Sequence, residues 1–309
     1  MSLVEFNPAL LPTLKDRVVV LTGGAMGVGR AAVKQFHAAG AKIVFGDIDD
    51  TLGESLVSEL GTERVRYVHC DTSLYADQLR LFRTAVEAFS TTGGVDIVVA
   101  NAGIGIHKDP FLPDADVTVE PPMKEVDVNL RGSIFTTRIG VHYLRQNGGG
   151  DLVLVSSIAG FKESGGLTIY TATKHGVIGI QRGLHVNVIK ENIRINTICP
   201  WMTKTRLVRG IEEGWYERGL PTNEPEDVAR AILTCATANR GDGNVRHPGA
   251  VSPFAGKILW IGGGKAYEIE DRIQALEPEW LGKENSAVLA KGQEYLASEG
   301  TSWDTDRKK

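Results

Sequence analysis

The stretch RVVVLTGGAMGVGR, residues 17–30, decides the fold. Its first part, Arg17 to Leu21, is continuous Val and Leu without polar alternation, the composition of a strand covered on both faces of a parallel sheet. Four glycines follow, Gly23, Gly24, Gly27 and Gly29, at the entry to a helix predicted over Gly27 to Ala39. Glycines at a strand-to-helix turn let the backbone approach a pyrophosphate, and the unpaired N–H groups and helix dipole favour negative charge there. The stretch also fits G-x-G-x-x-A as Gly27, Gly29 and Ala32. It is not a P-loop, because Arg30-Ala31 stands where Lys-Ser/Thr is required. The next apolar run ends in Asp47. A carboxylate there accepts hydrogen bonds from adenosine ribose hydroxyls and repels a 2′-phosphate. Met26 and Ile48 add no positive charge to welcome that phosphate. The expected cofactor is NAD rather than NADP, held by Thr22, Gly23, Gly27, Val28, Gly29, Asp47 and Ile48.

Outward from this turn, short apolar runs alternate with helical patterns. Strands are predicted at Lys42 to Gly46, Val65 to His69, Val95 to Ala100, Asp151 to Val155, Asn192 to Ile198 and Lys257 to Ile261. Helices are predicted at Thr51 to Leu60, Leu74 to Phe89, Pro122 to Arg145, Thr168 to Lys190 and Pro225 to Ala238, the last opening on Pro-Glu-Asp. Such alternation implies parallel strands joined by right-handed crossovers. The expectation is an α/β, Rossmann-type doubly wound sheet of about seven strands with helices on both faces. Residues 1–264 read as this domain. Residues 265–309 read as a polar C-terminal extension packed on it, with Trp280 and Trp303 as anchors and a frayed end at Asp304 to Lys309.

Composition removes several functions. In 309 residues, 42% are hydrophobic and 23% charged, with net charge −4 and no long Lys/Arg block, so nucleic acid is not an expected partner. Cys70, Cys199 and Cys235 are far apart in sequence and form no C-x-x-C pair, which favours a reducing compartment. No apolar run approaches the ~18 residues of a membrane span, and the N-terminus does not read as a secretory signal, so a cytoplasmic setting is expected. His107, His142, His175 and His185 lack a paired ligand pattern, and no metal is expected. Ser156 and Ser157 do not sit in G-x-S-x-G, which argues against a hydrolase elbow.

The chemistry-bearing set lies further on. The chain from about Lys15 to Gly264 resembles the short-chain dehydrogenases/reductases. Thr22, Gly23, Gly27 and Gly29 carry T-G-x-x-x-G-x-G, Asp71 matches an adenine-contacting acid, and Asn101-Ala102-Gly103 matches the N-A-G turn. Asn129 matches the Asn of the long helix, and Ser157, Tyr170 and Lys174 match the Ser, Tyr-x-x-x-Lys set. Tyr170 and Lys174 at i,i+4 share one helix face, so an ammonium can sit beside the phenol and, with the nicotinamide's own charge, favour phenolate. Tyr170 can then exchange a proton with a substrate oxygen that Ser157 holds. The hydride chemistry belongs to the nicotinamide. The resemblance further implies that Lys174 holds the nicotinamide ribose and that Asn129 anchors a water in a proton relay.

Departures from the pattern bear on the substrate. Trp201 follows Pro200 where Gly is usual, with Thr205, or else Thr203, as the threonine for the carboxamide. Residues Asn239 to Ala255 form an unusual insert. The segment Thr203 to Leu220, where members select substrate, carries Leu207, Trp215 and Tyr216, which predicts a bulky, mostly apolar small molecule. The tail is similar to that of prostaglandin dehydrogenase-like members of fungal secondary metabolism. The family resemblance implies a homodimer or homotetramer through the helices at Pro122 to Arg145 and Thr168 to Lys190. The expected reaction interconverts a secondary alcohol and a ketone. Two other readings stand beside it: a non-redox isomerase or cyclase on this scaffold, and an NAD(H)-sensing binding protein.

Overall fold

The structure is a computed structural model that describes residues 2–106, 109–241 and 244–298. It divides into two units, Ser2–Glu268 and Ile269–Lys309. The first contains nine strands: β1 Ser2–Val4, β2 Val18–Thr22, β3 Lys42–Asp47, β4 Val65–His69, β5 Ile97–Ala100, β6 Gly150–Val155, β7 Ile193–Pro200, β8 Ile258–Gly262 and β9 Lys265–Glu268. Its helices are α1 Gly27–Ala38, α2 Asp50–Leu60, α3 Tyr75–Phe89, α4 Gly132–Gln146, α5 Thr168–Val188, α6 Glu212–Glu217 and α7 Pro225–Thr237.

All nine strands join one sheet in the order β1-β9-β8-β7-β6-β5-β2-β3-β4. From β8 to β4 the strands are parallel. The order reverses between β2 and β5, so a crevice opens beyond their carboxyl ends, where such sheets bind ligands. The sequence explains the two-sided burial. Along β2, Val19 and Leu21 enter one core with α1 and α7, while Val18 and Val20 enter the other with α3, α4 and α5. The same alternation sends Ile97 and Val99 to the first core and Val98 and Ala100 to the second. Each buried Val or Leu contributes ~1.5–3 kcal/mol, so neither face tolerates a polar strand residue cheaply.

Two strands lie outside the sequence expectation. β9 pairs antiparallel with β8 across a two-residue Gly263-Gly264 loop, in which both glycines have positive φ, +60° and +74°. That is the hairpin geometry glycine pairs favour. β1 then pairs antiparallel with β9, in the register Ser2↔Glu268. The domain boundary therefore falls after Glu268, not at 264, because residues 265–268 are a strand of the sheet.

The long fourth helix also differs. It starts at Lys124, not Pro122, and its first part, Val126–Arg131, is a π-helical turn that runs straight into α4. Asn129 lies in this turn. α7 opens as expected, with Pro225 at its start and a capping box between Glu224 and Asp227.

The insert 239–255 is tied to the N-terminal segment. Asn7 N–H donates to His247 Nδ1 at 2.9 Å, Glu5 N–H donates to the Pro248 carbonyl, and Phe6 stacks on the His247 ring. The second unit carries α8 Glu270–Ala275, α9 Glu277–Leu281 and α10 Lys283–Ala297. Trp280, expected to be an anchor, is 68% exposed. His107, Trp303 and Asp304 to Lys309 lie outside the described residues. Among the described residues no helix is long and apolar enough to cross a membrane.

Candidate active site

The glycine turn is shaped for close backbone approach. A Cβ on Gly29 would lie 1.8 Å from the Gly23 carbonyl oxygen, and one on Gly23 would lie 2.8 Å from Ala102 Cα. Gly23 and Gly27 also take positive φ, +69° and +53°. The Asn101 side chain binds this turn to the N-A-G segment, its amide donating to the carbonyls of Thr22 at 3.1 Å and Gly23 at 2.8 Å. Thr22 Oγ1 in turn accepts the N–H groups of Asn101 and Ala102. The turn's free edge at the start of α1 fits a pyrophosphate, since only glycine can hold the backbone in that position.

Asp47 ends β3, next to β2. Its carboxylate is buried and fixed by three backbone N–H groups, from Ala25 at 2.9 Å, Ile48 at 2.8 Å and Asp49 at 3.2 Å. Ile48 is exposed beside it. Asp71, beyond β4, accepts the Ser73 N–H and hydroxyl at 2.9 and 2.7 Å. Both candidate threonines donate within their own loop, Thr203 to the Trp201 carbonyl at 2.9 Å and Thr205 to the Thr203 carbonyl at 3.4 Å, and the Thr205 methyl would be 3.3 Å from a Cβ on Gly27, toward the glycine turn.

Strand β6 presents two serines with different tasks. Ser156 is buried and donates to the Lys174 carbonyl at 2.8 Å, so it fastens α5 to the sheet. Ser157 lies within hydrogen-bonding reach of the Tyr170 phenol and accepts the Ala159 N–H at 3.2 Å. Lys174 is 4% exposed, donates from Nζ to the Val155 carbonyl at 3.2 Å, and lies 5.5 Å from the centre of the Tyr170 ring. A Cβ on Gly103 would stand 3.3 Å from both Lys174 Nζ and Asn129 Oδ1, so the N-A-G glycine leaves room for both. Asn129 accepts the Ile104 N–H at 2.8 Å, donates to the Ile104 carbonyl at 2.9 Å, and reaches Thr173 Oγ1 at 3.3 Å. The π-helical turn keeps this side chain between the 104 segment and α5, a placement often met at functional sites.

Dryness governs the ionisation of the pair. Burial pushes the Tyr170 phenol up from its ordinary value; the Ser157 hydroxyl acts the other way, while Glu125 and Cys199 add to the rise. Burial pulls Lys174 down to about 8, opposed by Cys199 and Glu125. Burial is thus the largest influence on the phenol and opposes phenolate, while a bound cofactor's positive charge would act the other way.

The sequence reading missed two residues. Glu125, 4% exposed, accepts the Ile106 N–H at 2.7 Å and acts by its charge to raise both Tyr170 and Lys174. Its position four residues before Asn129 was an available signal. Asn223 joins the loop after β7 to the β8–β9 hairpin, donating to the Ile261 carbonyl at 3.0 Å and accepting the Gly264 N–H at 2.9 Å. No local pattern announces it. In the loop after β7, Trp201 meets Trp215 edge to face at 5.0 Å, and Leu207 would touch a Cβ on Gly105 at 3.4 Å. The loops after β5 and β7 thus approach each other with apolar groups. Cys70, Cys199 and Cys235 are buried and in no disulfide, and burial pushes the Cys70 thiol up to about 12.

Comparison with known proteins agrees with this geometry. Residues 17–214 match the family model of the short chain dehydrogenases. The chain is 31% identical over 297 residues to the short-chain dehydrogenase/reductase prx4 of Penicillium roqueforti, covering 92% of this chain and 85% of that one. It is 29% identical over 309 residues to a 5'-hydroxyaverantin dehydrogenase of Dothistroma septosporum, covering 92% and 95%. It is 33% identical over 228 residues to a 3-alpha-(or 20-beta)-hydroxysteroid dehydrogenase of Mycobacterium tuberculosis, covering 72% and 84%. Among solved structures it is similar to a 3-ketoacyl-(acyl-carrier-protein) reductase from Brucella melitensis complexed with NADH, with a TM-score of 0.68 and 26% identity, over 81% of this chain and 98% of that one. The chain belongs to the short-chain dehydrogenases/reductases. It is an oxidoreductase acting on CH–OH groups with a nicotinamide cofactor.

Proposed function

We propose that the protein is an NAD(H)-dependent enzyme interconverting a secondary alcohol and a ketone on a bulky, mostly apolar natural product, lipid or steroid-like molecule. The observation that carries this reading is the convergence of Ser157, Tyr170, Lys174 and Asn129 on one buried spot beside the glycine turn. NAD rather than NADP is supported by the fixed Asp47 carboxylate, which repels a 2′-phosphate, and by the uncharged Met26 and Ile48 next to it. The apolar substrate is supported by Trp201, Trp215 and Leu207, and by relatives named for hydroxysteroid and 5'-hydroxyaverantin dehydrogenation.

Each residue has a definite task in this reading. Bound nicotinamide supplies or takes the hydride. Ser157 holds the substrate oxygen, and Tyr170 Oη gives or receives its proton. Lys174 supplies positive charge beside the phenol and holds the nicotinamide ribose, and Asn129 anchors the water of a relay. Thr22, Gly23, Gly27, Val28 and Gly29 take the pyrophosphate side. Asp71, Asn101, Ala102 and Gly103 take the adenine side and the wall of the cleft, and Thr205, rather than Thr203, takes the carboxamide.

The protein acts in the cytoplasm as a homo-oligomer. Assembly is supported by a groove on α3, α4 and α5 whose lining mixes apolar residues such as Leu79, Ile134 and Ile180 with Arg83, Arg138 and Arg145, Ile134 being exposed on it. Fluorescence titration with NADH and NADPH tests the cofactor assignment, and tighter NADPH would reverse it. Tyr170→Phe tests the chemistry: cofactor affinity persists and turnover disappears. Retained turnover would sink the assignment of Tyr170.

A further inference from the structure

The chain leaves the end of β7 and comes back to it at Asn223, so residues 204–222 form a closed loop. Its neck is a short parallel bridge between Thr203 and Asn223. There the Asn223 N–H donates to the Met202 carbonyl at 2.8 Å, and the Lys204 N–H donates to the Asn223 carbonyl at 3.0 Å. The Asn223 side chain ties that neck to β8 and its hairpin. Beyond the neck the loop has little to hold it. Its two short helical turns, Arg206–Val208 and α6, contain no buried residue. Ile211 and Tyr216 are 51% and 49% exposed, and Lys204 over the Tyr216 ring at 6.0 Å is a contact within the loop itself.

One side chain of α6 turns onto the body of the domain. Trp215 meets Trp201 edge to face at 5.0 Å, and its indole N–H donates to the Pro221 carbonyl at 3.0 Å, which fixes the heading of the ring. Trp201 leans in turn on Trp260 of β8 at 6.1 Å, and Trp260 stacks on Tyr267 of β9 at 5.4 Å. Trp260 and Tyr267 are register partners, so this row of rings ends on the sheet. The leading arm of the loop reaches the other way. The Thr205 methyl would lie 3.3 Å from a Cβ on Gly27, and Leu207 3.4 Å from one on Gly105. The loop thus runs from the glycine turn to the segment after β5, and one indole pair fastens its returning half. Glycine at 201 would give Trp215 nothing to rest on.

We propose that Trp201 is a positioning residue: by holding Trp215 it keeps the 204–222 loop closed across the crevice before a cofactor arrives, and it slows the cofactor's release. The inference rests on the nicotinamide assignment and adds an order of events to it. An edge-to-face aromatic pair shifts an equilibrium by about two- to tenfold beyond its buried area. In a packed core that is a small increment, but this loop has no buried residue in either helical turn, so the pair decides how often it opens. A loop already closed loses little further freedom when the cofactor binds, and it must break the pair to let the cofactor leave.

Amide exchange of the cofactor-free protein, followed by mass spectrometry, reads the loop directly, because exchange there follows the fraction of time it is open. Trp201→Ala and Trp215→Ala should each speed exchange across residues 205–220 by about two- to tenfold and leave α1 and α7 unchanged. The double variant should be no faster than the faster single one, since both substitutions remove the same contact. Trp201→Phe keeps an aromatic face and should stay near the wild type. Release of NADH in stopped flow should quicken by the same factor in the two alanine variants. Unmoved exchange in 205–220, an equal rise in α1 and α7, a double variant showing the product of the single effects, or NADH release at the wild-type rate overturns the proposal. If Trp201→Ala does not fold, Trp215→Ala decides by the same two readings. A wild type that binds no NADH fails the cofactor choice separately, and the exchange comparison still decides whether Trp201 holds the loop.

Discussion

Lys174 is carried at the expense of the fold, and removing it should stabilise the protein while abolishing activity. Burial takes its ammonium from 10.5 to about 8, which corresponds to about 3 kcal/mol at ~1.36 kcal/mol per pKa unit. Below pH 8 the folded and unfolded chains both hold the proton, so the whole cost is present. Between about 8 and 10.5 the folded chain has released it while the unfolded chain has not, and the cost declines. Lys174→Met removes the charge but strands the Val155 carbonyl, which accepts from Nζ at 3.2 Å. An unpartnered buried carbonyl costs ~1 kcal/mol, which leaves a net gain of about 2 kcal/mol at pH 7. Urea unfolding of the cofactor-free protein at pH 7 and pH 9.5 measures it. The variant should lead at pH 7, and its lead should shrink by more than half at pH 9.5. A variant less stable than wild type at pH 7, or a lead that ignores pH, would refute the reasoning.

Two further outcomes follow from the same structure. Acid should weaken the fold through His247, whose buried ring accepts the Asn7 N–H and which burial lowers to about 4 from 6.5. Since the unfolded chain binds the proton between those values, stability falls as pH drops, by about 2 kcal/mol from pH 7 to pH 5. His247→Asn should flatten that slope in urea titrations, and an equal slope in both proteins contradicts the assignment. Gly29→Ala drives a Cβ to 1.8 Å from the Gly23 carbonyl oxygen. It should weaken NADH binding at least about tenfold, or ~1.4 kcal/mol, and an unchanged dissociation constant in a fluorescence titration would contradict it.

What could be read from the sequence was what spacing encodes. The glycine turn, the seven parallel strands and the Tyr170–Lys174 pair are local patterns, and each appears in the structure where the pattern put it. What could not be read depends on partners distant in sequence. Asn223 acquires its meaning only when the loop after β7 meets the β8–β9 hairpin. β1 is three residues long and has no periodicity to detect. The hairpin into β9 is legible in Gly263-Gly264, a pair that reads equally as the end of a domain. The dryness around the phenol could not be read for a related reason: residue spacing reports that a charge is near and says nothing of how buried the place is.

The sheet's last partner is its first residues. Ser2 of β1 pairs with Glu268 of β9, so during synthesis the leading segment must wait for nearly the whole domain to leave the ribosome before it can dock. Before β9 folds back on it, β8 offers an open, apolar strand edge to any neighbouring nascent chain, an invitation to edge-to-edge association. A truncation at residue 264, chosen to keep every catalytic group, would make that exposure permanent. An expression boundary for this domain therefore belongs beyond Glu268, and a bulky fusion at the leading end loads the strand that closes the sheet.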